Sequence, residues 1–334
     1  MANKKATIRD VAEKAGVSLM VVSRVCNPRP KQYVSEAARA RVLEAIEALG
    51  YRPDERARSL RTKQSGTIGF YSGFGIWLDD DFARSIFNGC QSCCEIHEKD
   101  ILMLRPMDNL SPAEVMRALE HATIDGIVYH PPEGDQELAT ELRGFHKPGV
   151  RIGEAFPGLI SVVAEDRSGA ERMARYLYEI GHRSVIFRAD SLVRVSTARR
   201  REAFCRTAEE LGMTVRITYA LDRADHVTPQ EEELIREHRA HGVTAVVCWR
   251  DWSAAQALLF CRNQGIAVPG DLAIAGFDGL APRILPAGTE ITTIVIDWER
   301  IAFLAVQRLI EMLAKEDIPE ETIVPCPLRI GNTT

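Results

Sequence analysis

The stretch Thr7-Ile8-Arg9-Asp10-Val11-Ala12-Glu13-Lys14-Ala15-Gly16-Val17-Ser18-Leu19-Met20-Val21-Val22-Ser23-Arg24-Val25 decides how this chain begins. Thr7 and Asp10 stand three apart, the spacing of a capping box, so a helix is predicted to start there. Ile8, Val11, Ala12 and Ala15 recur at helical spacing and give it one apolar face. Gly16 stops it, because glycine takes the left-handed conformation without a Cβ penalty. Ser18 then caps a second helix through Val25. A helix, a tight glycine turn and a second helix form the unit whose second helix enters the DNA major groove, with its first residues facing base edges. Here those residues are Ser18, Leu19, Met20 and Val21, with Ser23 and Arg24 further along. Val17, Val22 and Val25 already supply an inward stripe. Leu19 and Met20 are therefore left to face outward, where apolar side chains meet thymine methyls.

Working outward, a third helix is predicted over about residues 35–49, closed by Gly50, with Ala38, Val42, Ala45, Ile46 and Leu49 inward. Charge supports a nucleic-acid partner at this end alone. The 334 residues carry a net charge of -5, but residues 1–65 hold 14 Lys+Arg against 7 Asp+Glu, leaving the remainder at -12. A basic head on an acidic body attracts phosphates at one end.

From Thr67 onward short apolar runs alternate with helical patterns. Strands are predicted near 67–71, 101–104, 126–129 and 150–152, then near 184–187, 215–219, 245–248 and 273–275. Helices lie between them, near 82–97, 112–121, 136–145, 167–180, 198–211, 229–240 and 253–263. Such alternation builds doubly wound parallel sheets, and two series build two α/β lobes. A ligand is then expected in the crevice at the carboxyl ends of the strands. No stretch approaches the roughly 18 apolar residues of a membrane span, and no apolar run follows Lys4 and Lys5, so a cytoplasmic location is expected.

The head residues carry a resemblance. Thr7-Ile8-Arg9-Asp10-Val11-Ala12, Ala15-Gly16-Val17-Ser18, Val22-Ser23-Arg24-Val25 and Asn27 resemble the N-terminus of the lactose-repressor (LacI/GalR) family. So do Val34-Ser35, Leu49-Gly50-Tyr51-Arg52-Pro53 and Ala57-Arg58-Ser59-Leu60. In the body, Asp125-Gly126-Ile127, Gly181-His182-Arg183, Val268-Pro269-Gly270-Asp271, Gly276-Phe277-Asp278 and the Thr292-Thr293-Ile294 strand continue it. Val21 departs from the usual threonine and Asp54 from the usual asparagine.

The resemblance implies a transcriptional regulator, a repressor by family habit, that binds a palindromic operator as a homodimer under allosteric control by a small molecule. It implies a helix-turn-helix DNA-binding domain at 1–53, a hinge helix and linker at 54–65, and an effector-binding and dimerisation domain at 66–334. The sensor resembles periplasmic sugar-binding proteins, so its lobes are expected at about 66–164 plus 294–322 and about 165–293 plus 323–334. DNA contacts are expected from Thr7, Ser18, Leu19, Met20, Val21, Ser23, Arg24, Asn27 and Tyr33, and from Arg58, Ser59 and Leu60 of the hinge. The Leu60 position wedges a central base step in the family, the design of an apolar side chain that kinks the duplex.

Candidate effector residues follow from matched positions: Asp278 at a strand end, Arg200 ahead of Ala203-Phe204, Arg250 beside Asp251, and the aromatic residues Trp77, Trp249 and Trp252. Aromatic faces with Asp and Arg suit a sugar, and two arginines leave room for a sugar acid or phosphate. No cofactor, metal site or catalytic role is expected. Cys90, Cys93, Cys94 and His97 share one helical face at metal-binding intervals, but one helix rarely supplies four tetrahedral ligands. Gly73-Phe74-Gly75 lacks the rest of a phosphate loop, and there is no Gly-x-Ser-x-Gly elbow. Leu60→Ala is expected to weaken operator binding and leave effector binding intact; equal operator affinity in a gel-shift titration would sink the hinge assignment.

Overall fold

The computed structural model describes residues 6–26, 33–52, 64–72, 81–104, 110–130, 136–190, 195–220, 227–285 and 287–334. The chain divides into two compact units, Met1–Ser65 and Gly66–Thr334. Among the described residues no helix is long and apolar enough to cross a membrane.

Among the described residues, the first unit holds three helices: α1 (Ile8–Ala15), α2 (Leu19–Cys26) and α3 (Glu36–Leu49). Thr7 and Asp10 close the capping box at the start of α1, and Gly16 ends it at φ +62°. Ser35 caps α3, and Gly50 ends it at φ +57°. Val11, Ala12, Ala15, Val22, Val25, Val42 and Ala45 form the core. A core this small relies on extra ties. Arg41 supplies one, its Nε donating to the Ala15 carbonyl at 3.1 Å.

The second unit alternates as expected: β1 (Thr67–Ser72), α4 (Asp81–Ile96), β2 (Asp100–Met103), α5 (Pro112–His121), β3 (Gly126–His130), α6 (Gln136–Arg143), β4 (Gly149–Ile152) and β5 (Ile160–Ala164). Then come α7 (Asp166–Glu179), β6 (Ser184–Asp190), α8 (Val195–Glu210), β7 (Thr214–Ala220), α9 (Pro229–Ala240), β8 (Ala245–Cys248), α10 (Asp251–Asn263) and β9 (Ala273–Asp278). The chain ends with β10 (Thr292–Val295), α11 (Trp298–Leu313), β11 (Glu321–Val324) and β12 (Leu328–Arg329). Two six-stranded sheets result, ordered β11-β5-β4-β3-β1-β2 and β12-β10-β9-β8-β6-β7. Strands β5, β11 and β12 and helix α11 are not among the elements named from the sequence. Their apolar runs are short, or lie beyond the last clear strand–helix repeat.

Among the described residues, three segments cross between the sheets: after β5, between β10 and α11, and between β11 and β12. The crossings fall slightly later than 294 and 322. Ile294 and Val295 still pair with Phe277 and Asp278 of the second sheet, and Ile323 and Val324 pair with Val163 and Ala164 of the first. The second sheet is mixed, because β12 returns antiparallel to β10. The tail beyond β12 is stitched in. The Thr333 hydroxyl donates to the Ile274 carbonyl at 2.6 Å and accepts from Thr292 N at 3.0 Å.

One continuous apolar cluster runs through both lobes, from Ile68 and Val128 to Phe187 and Phe277, bridged by Ile296 and Trp298 at a crossing. Helix α4 lies directly on α11. A Cβ on Gly89 would stand 2.1 Å from the Glu299 carbonyl oxygen, so this close approach requires glycine. Gly89→Ala is therefore expected to destabilise the protein by about 2 kcal/mol or more. A wild-type melting temperature in that variant would show that the two helices part without cost.

Candidate functional site

In the first unit, the residues of α2 divide cleanly. Val22 and Val25 are buried, whereas Leu19 and Met20 are 44% and 61% exposed. Leu19 and Met20 would gain by leaving water. Ser18 sits at the helix start, its hydroxyl oxygen 3.4 Å from Val21 N. Val21 is half-buried and packs on the core, so only part of its side chain is left to face outward. Ser23 and Arg24 are half-buried and Tyr33 is exposed. The Thr7 hydroxyl is already engaged with the Asp10 carboxylate at 2.8 Å. A phosphate there would have to compete with the capping box. Asn27, Arg58, Ser59 and Leu60 lie outside the described residues.

In the second unit, polar groups converge at the carboxyl ends of the strands, where the two lobes meet. Arg200 on α8 is almost wholly buried. Its Nε donates to Asp166 Oδ1 at 2.7 Å, and its Nη1 donates to the Trp249 carbonyl at 3.0 Å. The same Nη1 lies 3.7 Å from Asp278 Oδ1. Asp166 begins α7, directly after the first crossing. Its Oδ2 has no hydrogen-bond partner among the described residues. Asp278 closes β9 at φ +109°, a conformation that costs a non-glycine residue energy and persists only where the surroundings impose it. Burial pushes its carboxyl up to about 6, against the pull of Arg200 and Arg250. For Arg200 itself, burial opposes the charge, but Asp166 and Asp278 outweigh it and raise its pKa.

The guanidinium of Arg250 lies 4.3 Å from the Trp249 ring centre. Asp251 is a brace: fully buried, it accepts from Leu280 N at 2.8 Å and from the Thr293 hydroxyl at 2.7 Å. Gly276 passes so close that a Cβ would stand 2.2 Å from Asp251 Oδ1. Trp249 is buried within the main apolar cluster. Trp252 is half-buried on α10 and takes no part in the Arg200 group among the described residues. Trp77 lies outside them.

Lobe one faces this cluster with rings. Phe82 meets Trp298 edge to face at 4.8 Å and His130 at 5.5 Å. Glu154, paired with buried Arg151 at 3.2 Å, reaches across to α8, its Oε1 3.4 Å from both the amide and the hydroxyl of Ser196. A crevice results with charged groups on one wall and aromatic groups on the other. A depression of about 390 Å³ lined by Leu258, Arg262, Ile266 and Asn332 also lies on lobe two. Its lining includes none of the crevice residues.

A family model described as "Bacterial regulatory proteins, lacI family" matches residues 7–54, and one described as "Periplasmic binding protein-like domain" matches residues 174–334. The chain is 27% identical to catabolite control protein A of Priestia megaterium, covering 97% of each chain. It is also 27% identical to the HTH-type transcriptional regulator GalR of Escherichia coli (strain K12), covering 96% of this chain and 93% of that one. Its fold matches the lac repressor dimer bound to operator and the anti-inducer ONPF, with a TM-score of 0.82, 22% identity and 99% coverage of both chains.

The chain carries a LacI-family regulatory domain and a periplasmic-binding-protein-like domain, and relatives matched over nearly its whole length are LacI/GalR-type regulators.

It is a DNA-binding transcriptional regulator. Several crevice residues escaped the sequence reading. Glu154 lies just before the unrecognised strand β5 and Asp166 just after it, and Trp298 opens the unrecognised α11. The charged pair Glu165-Asp166 directly after an apolar Ile-x-Val-Val-Ala run was the available signal for Asp166. The cysteine cluster behaves as core. Cys90, Cys93 and Cys94 are buried, while His97 is exposed at the end of the same helix. Burial pushes Cys93 up to about 12 and Cys94 up to about 11, so they remain thiols at neutral pH.

The raised Asp278 carboxyl has a thermodynamic consequence. Its folded form holds a proton that the unfolded chain releases near the ordinary aspartate value of 3.8. Between about pH 4 and pH 6 its contribution to stability therefore falls as pH rises, and it is constant above. Relative to Asp278→Asn, which does not titrate, the wild type is expected to lose on the order of 2 kcal/mol across that window. Parallel stability curves for the two proteins between pH 4 and pH 7 would contradict this assignment.

Proposed function

We propose that this protein is a repressor that grips a palindromic operator as a homodimer and is switched by a small molecule bound between the lobes. The exposed Leu19–Met20 pair on an otherwise core-packed α2 carries the DNA half of the reading. In this arrangement residues 1–53 read the major groove, residues 54–65 form the hinge and residues 66–334 form the sensor. The reader set is Ser18, Leu19, Met20, Ser23 and Arg24, with Val21, Thr7, Asn27 and Tyr33 at its edges, and Arg58, Ser59 and Leu60 in the minor groove.

The effector is a sugar or sugar derivative. Asp278 and Arg200 offer an acceptor and donors to hydroxyls, and Trp249, Arg250, Trp252 and Trp77 complete the candidate set. The supporting observation is that these polar groups meet rings at strand ends. Binding that pulls on both walls changes the angle between lobes, and the resulting coupling free energy alters operator affinity. The protein works in the cytoplasm and is not an enzyme; its named relatives are regulators.

Selection of duplexes from a random pool, followed by sequencing, tests this reading. The expected result is a palindrome with a pyrimidine–purine step at its centre, where a kink is cheap. Enrichment of no sequence, with binding that only follows salt, would overturn it. Met20→Ser is expected to relax base preference at one position in each half-site, worth about 1–3 kcal/mol per base pair, without moving the melting temperature. An unchanged selected sequence would remove Met20 from the reader.

A further inference from the structure

The point where the chain enters the sensor is tied down more heavily than a strand start requires. Gly66 is the first residue of the second unit and adopts φ +76°. No atom lies within 4 Å of where a Cβ would stand, so glycine is needed there for its backbone conformation and not for space. Its amide donates to Asp125 Oδ2 at 2.9 Å, and its carbonyl accepts from Asp100 N at 3.0 Å. Asp125 in turn donates its own amide to the Thr67 carbonyl at 2.8 Å. Both neighbours of β1 thus hold its first turn: β2 through Asp100 and the start of β3 through Asp125.

The Asp125 carboxylate is itself positioned. Its side chain is only 4% exposed, and Lys99 Nζ stands 3.7 Å from Oδ2. Lys147, whose ammonium donates to the Ala122 carbonyl at 2.7 Å, also feels this charge. Hydrogen bonds to a carboxylate acceptor are about twice as strong as those between neutral groups. A strand of a parallel sheet does not need a charged clamp on the residue before its first ladder bond. That residue is the last backbone group of the sensor before the segment leading to the head.

We infer that Asp125 is a positioning residue for operator binding: by clamping Gly66 N it sets the point from which the segment 54–65 leaves the sensor. This rests on the proposed role of that segment as the hinge. The clamp restricts where and in which direction the segment starts, and so lowers the entropy it must lose when it orders on an operator. The effect is confined to sequence-specific binding. Contacts of the head with phosphates need no ordered hinge.

The test uses the full-length protein in three forms: wild type, Asp125→Ala and Asp125→Asn. Each is titrated with the selected operator and with a scrambled duplex of equal length, and its melting temperature is recorded. Asp125→Ala is expected to bind the operator about tenfold more weakly, the scale of one hydrogen bond to a charged acceptor, and the scrambled duplex as tightly as wild type. Asp125→Asn keeps an acceptor for Gly66 N and is expected to recover most of the operator affinity. Wild-type operator affinity in Asp125→Ala overturns the inference. So does an equal loss on both duplexes with a lowered melting temperature, which marks a merely structural residue. A wild type that does not discriminate the duplexes overturns the hinge reading itself, and is seen separately.

Discussion

The buried guanidinium of Arg200 is the interaction on which the sensor's central crevice depends. It ties Asp166 at the first crossing, the Trp249 carbonyl at the end of β8 and the carboxylate of Asp278 at the end of β9. An isolated buried charge costs several kcal/mol, so each partner is present because the others are. Such a group does not stabilise the fold cheaply. Apolar residues of similar volume could do as well. Its value lies in holding charged groups in one geometry at the strand ends, where a ligand can share them.

The wall opposite is built differently. Phe82, His130 and Trp298 meet through ring edges, and Trp298 lies just after the β10–α11 crossing. Rings packed edge to face hold their relative orientation without a network of charges. Glu154 joins the walls through the amino end of α8. An anion there is favoured by the helix dipole as well as by the hydrogen bonds. The lobes are therefore linked by polar contacts at the crevice and by a shared apolar cluster at the crossings.

The head follows a separate logic. Its core is a handful of small aliphatic residues, so local signals determine most of its structure: Thr7 with Asp10, Gly16, Ser35 and Gly50 each start or stop a helix where the pattern says. Tertiary packing altered the reading at Val21, which leans onto the core although it sits among the outward residues of α2. Thr7 likewise serves its own helix first. Neither effect is visible in spacing alone, because both depend on what the neighbouring helices leave uncovered.

The sequence by itself determined the three-helix head, the order of most strands and helices through β9, and the residue types at the strand ends. Caps, glycine stops and hydrophobic period are properties of adjacent residues and need no long-range knowledge. Arg200, Asp278 and Arg250 were legible as polar residues at matched positions. Only the tertiary structure decided that Arg200 is held by Asp166, that Asp251 is a brace, and that Phe82, His130 and Trp298 form the facing wall. It also decided that Asp125 reaches Gly66, a contact spanning 59 residues of chain. The reason is physical. A crevice between lobes crossed three times is assembled from distant segments, and which charges neutralise each other is settled only when burial brings them together and removes the water between them.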